Sequence, residues 1–326
     1  MNNDVNILTQ YNHNSISNNL ELIAQAKEFA RSAYAHNTIS SYKKDWQNFQ
    51  NWCIKENLSP LPCNIGTLIL YITELADPLN RKTSTIQRHI CSINKIHLMA
   101  NHSLNLKDNG FLQVWSGIKR KQGLAKTGKS PLLLNHLRKI AEKIEGKSNL
   151  DIRDRALIIF GWASAMRRSE IVALNWQDIE FIEEGMLINI RQSKTDQYGL
   201  GQKIAIISGK YELTCPVLNL QKWQTIAKDN MAVFTSINKS NKISDIRLSD
   251  RDIARIIKKY LSKIGMDSTG FAGHSLRSGF ITTAAKHSVP DRVIMKHTRH
   301  KSIQMLQVYT RDNSLIQDNA TSIVGL

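Results

Sequence analysis

Ala165-Met166-Arg167-Arg168-Ser169-Glu170-Ile171-Val172-Ala173-Leu174 sets two adjacent guanidiniums into an otherwise apolar neighbourhood. Leu157, Ile158, Phe160 and Trp162 precede it, Ile171 and Leu174 continue the spacing, and all of Ile152 to Leu174 reads as helix. Arginines in such surroundings are costly unless they are paired or bound to an anion. Glu170, three residues beyond Arg167, is placed to brace it, which leaves Arg168 to point elsewhere. A surface turn between two helices around Ser164 and Ala165 accommodates the same residues. From the residues alone, the choice between Arg167 and Arg168 as the anion-binding group stays open.

Outward from this stretch, the second half of the chain mixes elements. Leu132 to Ile144 has helical spacing. Gly185 to Arg191 reads as a strand, and Gln202 to Ile207 as its partner across a polar turn at Asp196-Gln197-Tyr198-Gly199. Lys194 falls in that turn. Ser249, with Asp252 three residues on, opens a helix whose buried stripe is Ile253, Ile256, Ile257, Tyr260, Leu261 and Ile264. Ser275 and Ser302 stand where N-caps of two further helices are expected. The expected fold is mainly α with a small β-sheet, an α+β domain.

The first half is all helix by its spacing. Ile39, Tyr42, Trp46, Phe49, Trp52 and Cys53 form one stripe, with Asn37 or Thr38 as its cap. Asn64 to Leu75, Lys82 to Ala100 and Asp108 to Lys121 follow as further helices of a small bundle. Between Lys119 and Pro131 the pattern breaks into glycines, a proline and five basic residues with no acidic one, the composition of a linker lying against phosphates or of a solvated tether. The expected division is a leader over 1–18, a helical domain over 19–122, a basic linker over 123–131, a second, mixed domain over 132–311 and a tail over 312–326.

Charge points to the partner. The formal net charge is +17 and it is spread over both halves. That fits two domains that both face nucleic acid, clamping it, rather than a basic tail on a neutral body. Lys43, Lys44, Arg81, Lys82, Arg88, Lys119, Arg120 and Lys121 are the candidate DNA contacts in the first half. No uncharged apolar run is long enough to span a membrane. The polar N-terminus lacks the features of a signal peptide, and Cys53, Cys63, Cys91 and Cys215 are too scattered for a zinc site or a disulfide frame. A cytoplasmic protein with reduced thiols is expected. There is no phosphate-binding Gly-rich loop for ATP and no paired-carboxylate cluster for a two-metal site, so neither cofactor nor metal is expected.

Arg167, Lys194, His274, Arg277, His300 and Tyr309 together supply the groups that moving a phosphodiester requires. Two guanidiniums grip a phosphoryl group, an ammonium protonates a leaving oxygen, imidazoles bond or shuttle protons, and a phenol attacks. His274 and Arg277 share a face at a helix start. A phenol is a poor nucleophile at neutral pH unless surrounding cations favour phenolate, so Tyr309 carries meaning only with these neighbours.

The order Ala165 to Leu174, Lys194-Thr195, Gly273-His274-Ser275-Leu276-Arg277, then His300 with Tyr309 nine residues later, resembles the tyrosine recombinase (phage integrase) family over most of residues 131–311. The helical first half and basic linker resemble that family's core-binding domain more loosely. The resemblance implies that Arg167 and Arg277 neutralise the scissile phosphate, and that Lys194 is the general acid for the departing 5′ oxygen. It implies that His274 serves as base or hydrogen-bond partner, that His300 bonds the phosphate and packs the site, and that Glu170 supports them. Tyr309 attacks phosphorus to form a 3′-phosphotyrosyl bond. It further implies double-stranded recombination sites as partner, a homotetramer on paired sites, exchange through a four-way junction, and a tail that docks on a neighbouring protomer, the alternative being a tail folded on its own domain. Accessory proteins are not indicated. Thr298-Arg299 departs from the family's frequent Leu-Gly, and Met166 from its more usual Leu. Alternatives at this level are a type IB topoisomerase-like enzyme, a metal nuclease built on His274, His287, His297 and His300, and a noncatalytic DNA-binding relic.

Overall fold

The computed structural model describes residues 36–123, 128–191, 201–307 and 309, with isolated positions at 22, 24–26, 28–29 and 324. The expected leader, Lys194 with its turn, and the tail apart from residue 324 lie outside them. The chain divides into two compact units, Met1–Thr127 and Gly128–Leu326.

In the first unit, four helices enclose one core: α1 (His36–Lys55), α2 (Ile65–Ala76), α3 (Thr83–Met99) and α4 (Asn109–Gln122). Asn64 caps α2 by accepting the Thr67 N–H at 2.8 Å, and Asp108 caps α4 by accepting that of Phe111 at 3.0 Å. Phe49, Cys53, Leu68, Tyr71, Ile72, Ile86, Ile90, Ile93, Phe111 and Trp115 fill the centre, as their spacing requires. Two details differ from expectation. The first helix already runs at His36, so Asn37 and Thr38 lie inside it, and Ile39 is exposed rather than on the buried stripe.

The second unit is the expected mixture. Helices α5 (Leu134–Lys143), α6 (Asn149–Ala163) and α7 (Arg168–Ala173) lead into an antiparallel sheet of β1 (Ile179–Ile182), β2 (Gly185–Ile190) and β3 (Gln202–Ile207), in that order. Then come α8 (Pro216–Ala227), a hairpin of β4 (Thr235–Ile237) and β5 (Ile243–Arg247), and α9 (Asp250–Lys263), α10 (His274–Lys286) and α11 (Asp291–Thr298). Residues 303–307 and 309 are helical again. Leu157, Phe160, Ile171, Ile188, Trp223, Phe234, Ile257, Tyr260 and Leu276 belong to one continuous core.

The helix expected over Ile152 to Leu174 is two helices. α6 ends at Ala163, and Ala165 turns left-handed at φ 47°. The freed N–H of Arg167 is then taken up by the Glu170 carboxylate at 2.9 Å, which starts α7. Both pieces bury their apolar residues in the same core, so the spacing runs on across a break that hydrophobicity does not reveal.

α10 is set by a close approach. A Cβ on Gly279 would stand 1.9 Å from the Leu132 carbonyl oxygen. The Leu132 N–H donates to Ser275 O, and Trp162 Nε1–H donates to Leu132 O. Ser275 is not the N-cap of this helix: Gly273 is, and the buried Ser275 hydroxyl reaches back to accept the Ala272 N–H at 2.9 Å.

Candidate active site

Four short segments bring the candidate residues Arg167, His274, Arg277, His300 and Tyr309 together: the turn at 164–167 with α7, the start of α10, the stretch that ends α11, and the helical residues 306, 307 and 309. α10 carries His274 and Arg277 one turn apart. Leu306 is fully buried with Ile281 and Ile294, and Tyr309, three residues on, packs partly buried against the same cluster. That packing delivers the phenol to the site.

Arg277 is buried. It donates to two backbone carbonyls at 2.6 Å, Ala165 O through Nη1 and Thr298 O through Nη2. The left-handed Ala165 therefore turns a carbonyl toward this guanidinium. His300 Nε2 lies 3.2 Å from Arg277 Nη2, and the His300 ring bonds Thr298 Oγ1 through Nδ1 at 2.6 Å. Desolvation, then the charges of Arg167 and Arg299, push the Arg277 pKa down to about 10, so it remains cationic at neutral pH.

Arg167 and Arg168 separate cleanly. Arg167 is largely buried and pairs with Glu170, Nη1 to Oε1 at 2.7 Å. Arg168 is half exposed and pairs with Asp250 at 3.0 Å. Glu170 is buried and receives a second guanidinium, Arg299 Nη2 to Oε2 at 2.7 Å. Burial alone would raise its carboxyl pKa, but Arg299 and the bonds from Arg167 outweigh burial and hold it below the usual range.

Tyr309 sits between two imidazoles. Its hydroxyl is 2.7 Å from His274 Nε2, and the His274 and His300 ring centres lie 6.0 and 6.1 Å from its own. Desolvation and the charges of Arg277, Arg167 and Arg168 lower the His274 pKa. Desolvation and Arg277, Arg167, His274 and Arg299 bring that of His300 to about 4. Both rings are therefore neutral at physiological pH. The phenol corrects a simpler expectation. Burial raises its pKa by more than Arg277 and Arg167 lower it, so the cations do not by themselves produce a phenolate. Its proton must leave to a base, and His274 is within reach.

The four histidines of the metal-site alternative do not converge. His287 closes the far end of α10, roughly 20 Å along the helix from His274 at 1.5 Å per residue. His297 is taken up by Ala163 O at 2.8 Å and stacks on Phe280. Among the described residues no group of three His, Cys, Asp or Glu could hold a metal ion, and no helix is long and apolar enough to cross a membrane.

The basic residues of the first unit are mostly exposed: Lys43 and Lys44 on α1, Arg81 and Lys82 at the start of α3, and Arg120 and Lys121 at the end of α4. Arg88, Lys121 and Lys119 are among those with other engagements. Arg88 forks onto the buried Asp45 carboxylate at 2.7 and 2.8 Å, Lys121 pairs with Asp77, and Lys119 lies over the Trp115 ring. The Asp45 site, which also receives Ser92 and His89, was not anticipated from sequence. Nor were the contributions of Ala165 and Thr298, which act through backbone carbonyls that any residue supplies, or the pairing of Arg299 with Glu170.

Residues 130–315 match the model of the phage integrase family. The chain is 36% identical to an integrase/recombinase xerD homolog of Selenomonas ruminantium, over 94% of this chain and 90% of that one. Among solved structures it resembles XerH site-specific recombinase bound to palindromic difH substrate in a post-cleavage complex. The TM-score there is 0.68 at 16% identity, covering 94% of this chain and 84% of the other. It also resembles a lambda integrase tetramer bound to a Holliday junction, with TM-score 0.57 at 16% identity over 88% and 75% of the two chains.

Proposed function

This chain belongs to the phage integrase family, and from that premise we propose which of its groups break and rejoin DNA. It is a tyrosine site-specific recombinase that acts on DNA. In our reading Tyr309 is the nucleophile. Its oxygen forms a bond to phosphorus as the bond from phosphorus to the 5′ oxygen breaks, leaving the 3′ phosphate on the tyrosine. The phenolic proton passes to His274 and the departing 5′ oxygen takes one from Lys194. One phosphodiester replaces another, so neither ATP nor metal is required, and religation is the same step reversed.

Arg167 and Arg277 bind the nonbridging oxygens and offset the charge that builds on them, each donor contributing about 3 kcal/mol. His300, neutral, packs the site and buttresses Arg277. Glu170 holds Arg167. Arg168 is left out of the chemistry because its charge is spent on Asp250. The observation that carries this reading is the 2.7 Å contact of the Tyr309 hydroxyl with His274, beside a buried Arg277.

Residues 19–122 serve as the DNA-binding domain and 132–311 as the catalytic domain. Lys43, Lys44, Arg81, Lys82 and Lys119 to Lys121 contact phosphates and position the duplex without reading it, whereas the charge of Arg88 is taken up by Asp45. Four copies join two sites and exchange one strand pair at a time through a four-way junction, in the cytoplasm, with the 312–326 tail docked on a neighbour. The likeness to a junction-bound integrase tetramer supports this assembly.

A nicked suicide duplex carrying the recombination site tests the chemistry. The wild-type chain becomes covalently attached through Tyr309 to a 3′ phosphate, in EDTA as well as without it, and Tyr309→Phe gives no adduct. An adduct that persists in Tyr309→Phe, or that forms only with metal, refutes the assignment.

A further inference from the structure

Arg299 occupies a place that favours glycine. It ends α11 in the left-handed region, φ 60° and ψ 41°, where a side chain is strained. It is also buried. Nη2 donates to Glu170 Oε2 at 2.7 Å, while Nε and Nη1, both buried, have no hydrogen-bond partner among the described residues. Strain, burial and two idle donors all count against the residue as a fold-stabilising device. What the guanidinium does have is a share of the carboxylate that holds Arg167. Glu170 Oε1 takes Arg167 Nη1, and Oε2 takes both the Arg167 backbone N–H and Arg299.

We propose that Arg299 is a positioning residue of the recombinase site. It locks the Glu170 carboxylate that aims Arg167, and it offsets that carboxylate's charge so that Arg167 meets the scissile phosphate as an uncompensated cation. Without it, Glu170 alone would neutralise Arg167 in the ground state. With it, Glu170 lies between two cations, and the pocket keeps its positive field. The flanking residues tie the same segment to the other arginine: Thr298 O accepts from Arg277 Nη2, and His300 lies beside it. One tight turn thus sets both arginines. The proposal rests on the assignment of Arg167 and Glu170 to the cleavage site.

The test compares Arg299→Gly, Arg299→Gln and Arg299→Lys in single-turnover adduct formation on a nicked suicide duplex, with DNA affinity and melting temperature measured in parallel. Glycine relieves the backbone strain, so its melting temperature should equal or exceed wild type. Its cleavage rate should nonetheless fall about 10- to 100-fold, the effect of a misaimed group. Glutamine, which keeps a donor without the charge, should be as slow, and lysine should recover most of the rate. Combined with Glu170→Gln, Arg299→Gly should add little further loss, because both act through one carboxylate.

Cleavage by Arg299→Gly or Arg299→Gln at the wild-type rate would overturn the proposal. So would a lysine variant as slow as the glycine one, losses that multiply with Glu170→Gln, or melting temperatures that fall in step with the rates. In all these cases wild-type adduct formation leaves the recombinase chemistry standing. Absence of an adduct with the wild-type chain removes that chemistry and this role together.

Discussion

Glu170→Gln probes the site's one buried carboxylate without changing its shape. The wild-type carboxylate takes a backbone N–H and two guanidiniums. Glutamine keeps an acceptor for the backbone but strands both charges. Removing one partner of a buried ion pair typically costs about 3–5 kcal/mol, because the remaining charge is left uncompensated. Arg167, which is 18% exposed, recovers some hydration, whereas Arg299 at 5% does not. The lower end, about 3 kcal/mol, is therefore expected at neutral pH.

The sign with pH follows from the carboxyl pKa being lower in the folded chain than its ordinary 4.5. Above 4.5 the unfolded carboxyl is ionised too, and the contribution is complete. As pH falls from there through the folded value, the unfolded state takes up the proton first and the contribution is lost. Glutamine cannot titrate, so the difference between the two chains should shrink over that range. Urea titrations read by hydrogen exchange over residues 149–173 would report the catalytic unit by itself. A variant as stable as wild type at neutral pH, or a gap that stays constant as the acid range is entered, would refute the account of Glu170.

Gly279→Ala should destabilise the catalytic unit by about 3 kcal/mol or more, because its methyl group meets a backbone carbonyl that cannot rotate away; a melting temperature equal to wild type would show that α10 is free to shift. Adduct formation should hold from neutral pH down to about the ordinary histidine pKa of 6.5 and fail only below it, since the base at His274 is depressed. Toward alkaline pH the rate should level off rather than climb, since the phenol is raised and its proton leaves to an imidazole that is already neutral. A rate that climbs steadily on the alkaline side would point to a phenolate nucleophile and contradict the neutral resting tyrosine.

What the sequence made legible was local and chemical. Ile253, Ile257, Tyr260 and Leu261 lie buried on one helix because 3.6-residue spacing has one geometric solution. His274 and Arg277 share a face for the same reason. The six-residue constellation carried the family resemblance because its order survives whatever lies between the pieces. The break after Ala163 stood only as an alternative, the turn at Ser164 and Ala165, because helices on either side of a tight turn bury the same core. Arg88 looked like a free cation because the carboxylate that binds it, Asp45, is 43 residues away in the chain. Whether the cations around Tyr309 outweigh its burial was not legible, because a sequence lists the cations near a group but not the water it loses.

The two arginines are held by different means, and charge balance explains why. Arg277 is anchored by the Ala165 and Thr298 carbonyls, which fix a guanidinium without cancelling its charge. Arg167 is anchored by a carboxylate, which fixes it more firmly but would cancel it. Arg299 on the far side of that carboxylate removes the conflict. Three guanidiniums against one carboxylate leave two positive charges in a largely desolvated pocket. That surplus lets the site receive a phosphodiester and favour the greater negative charge of its pentacoordinate transition state. Desolvation first, and then the same surplus, lowers the pKa of both imidazoles and keeps them neutral, so His274 is free to accept a proton from the phenol. A pocket neutralised by an additional carboxylate would be easier to fold, but its grip on phosphate would be weak.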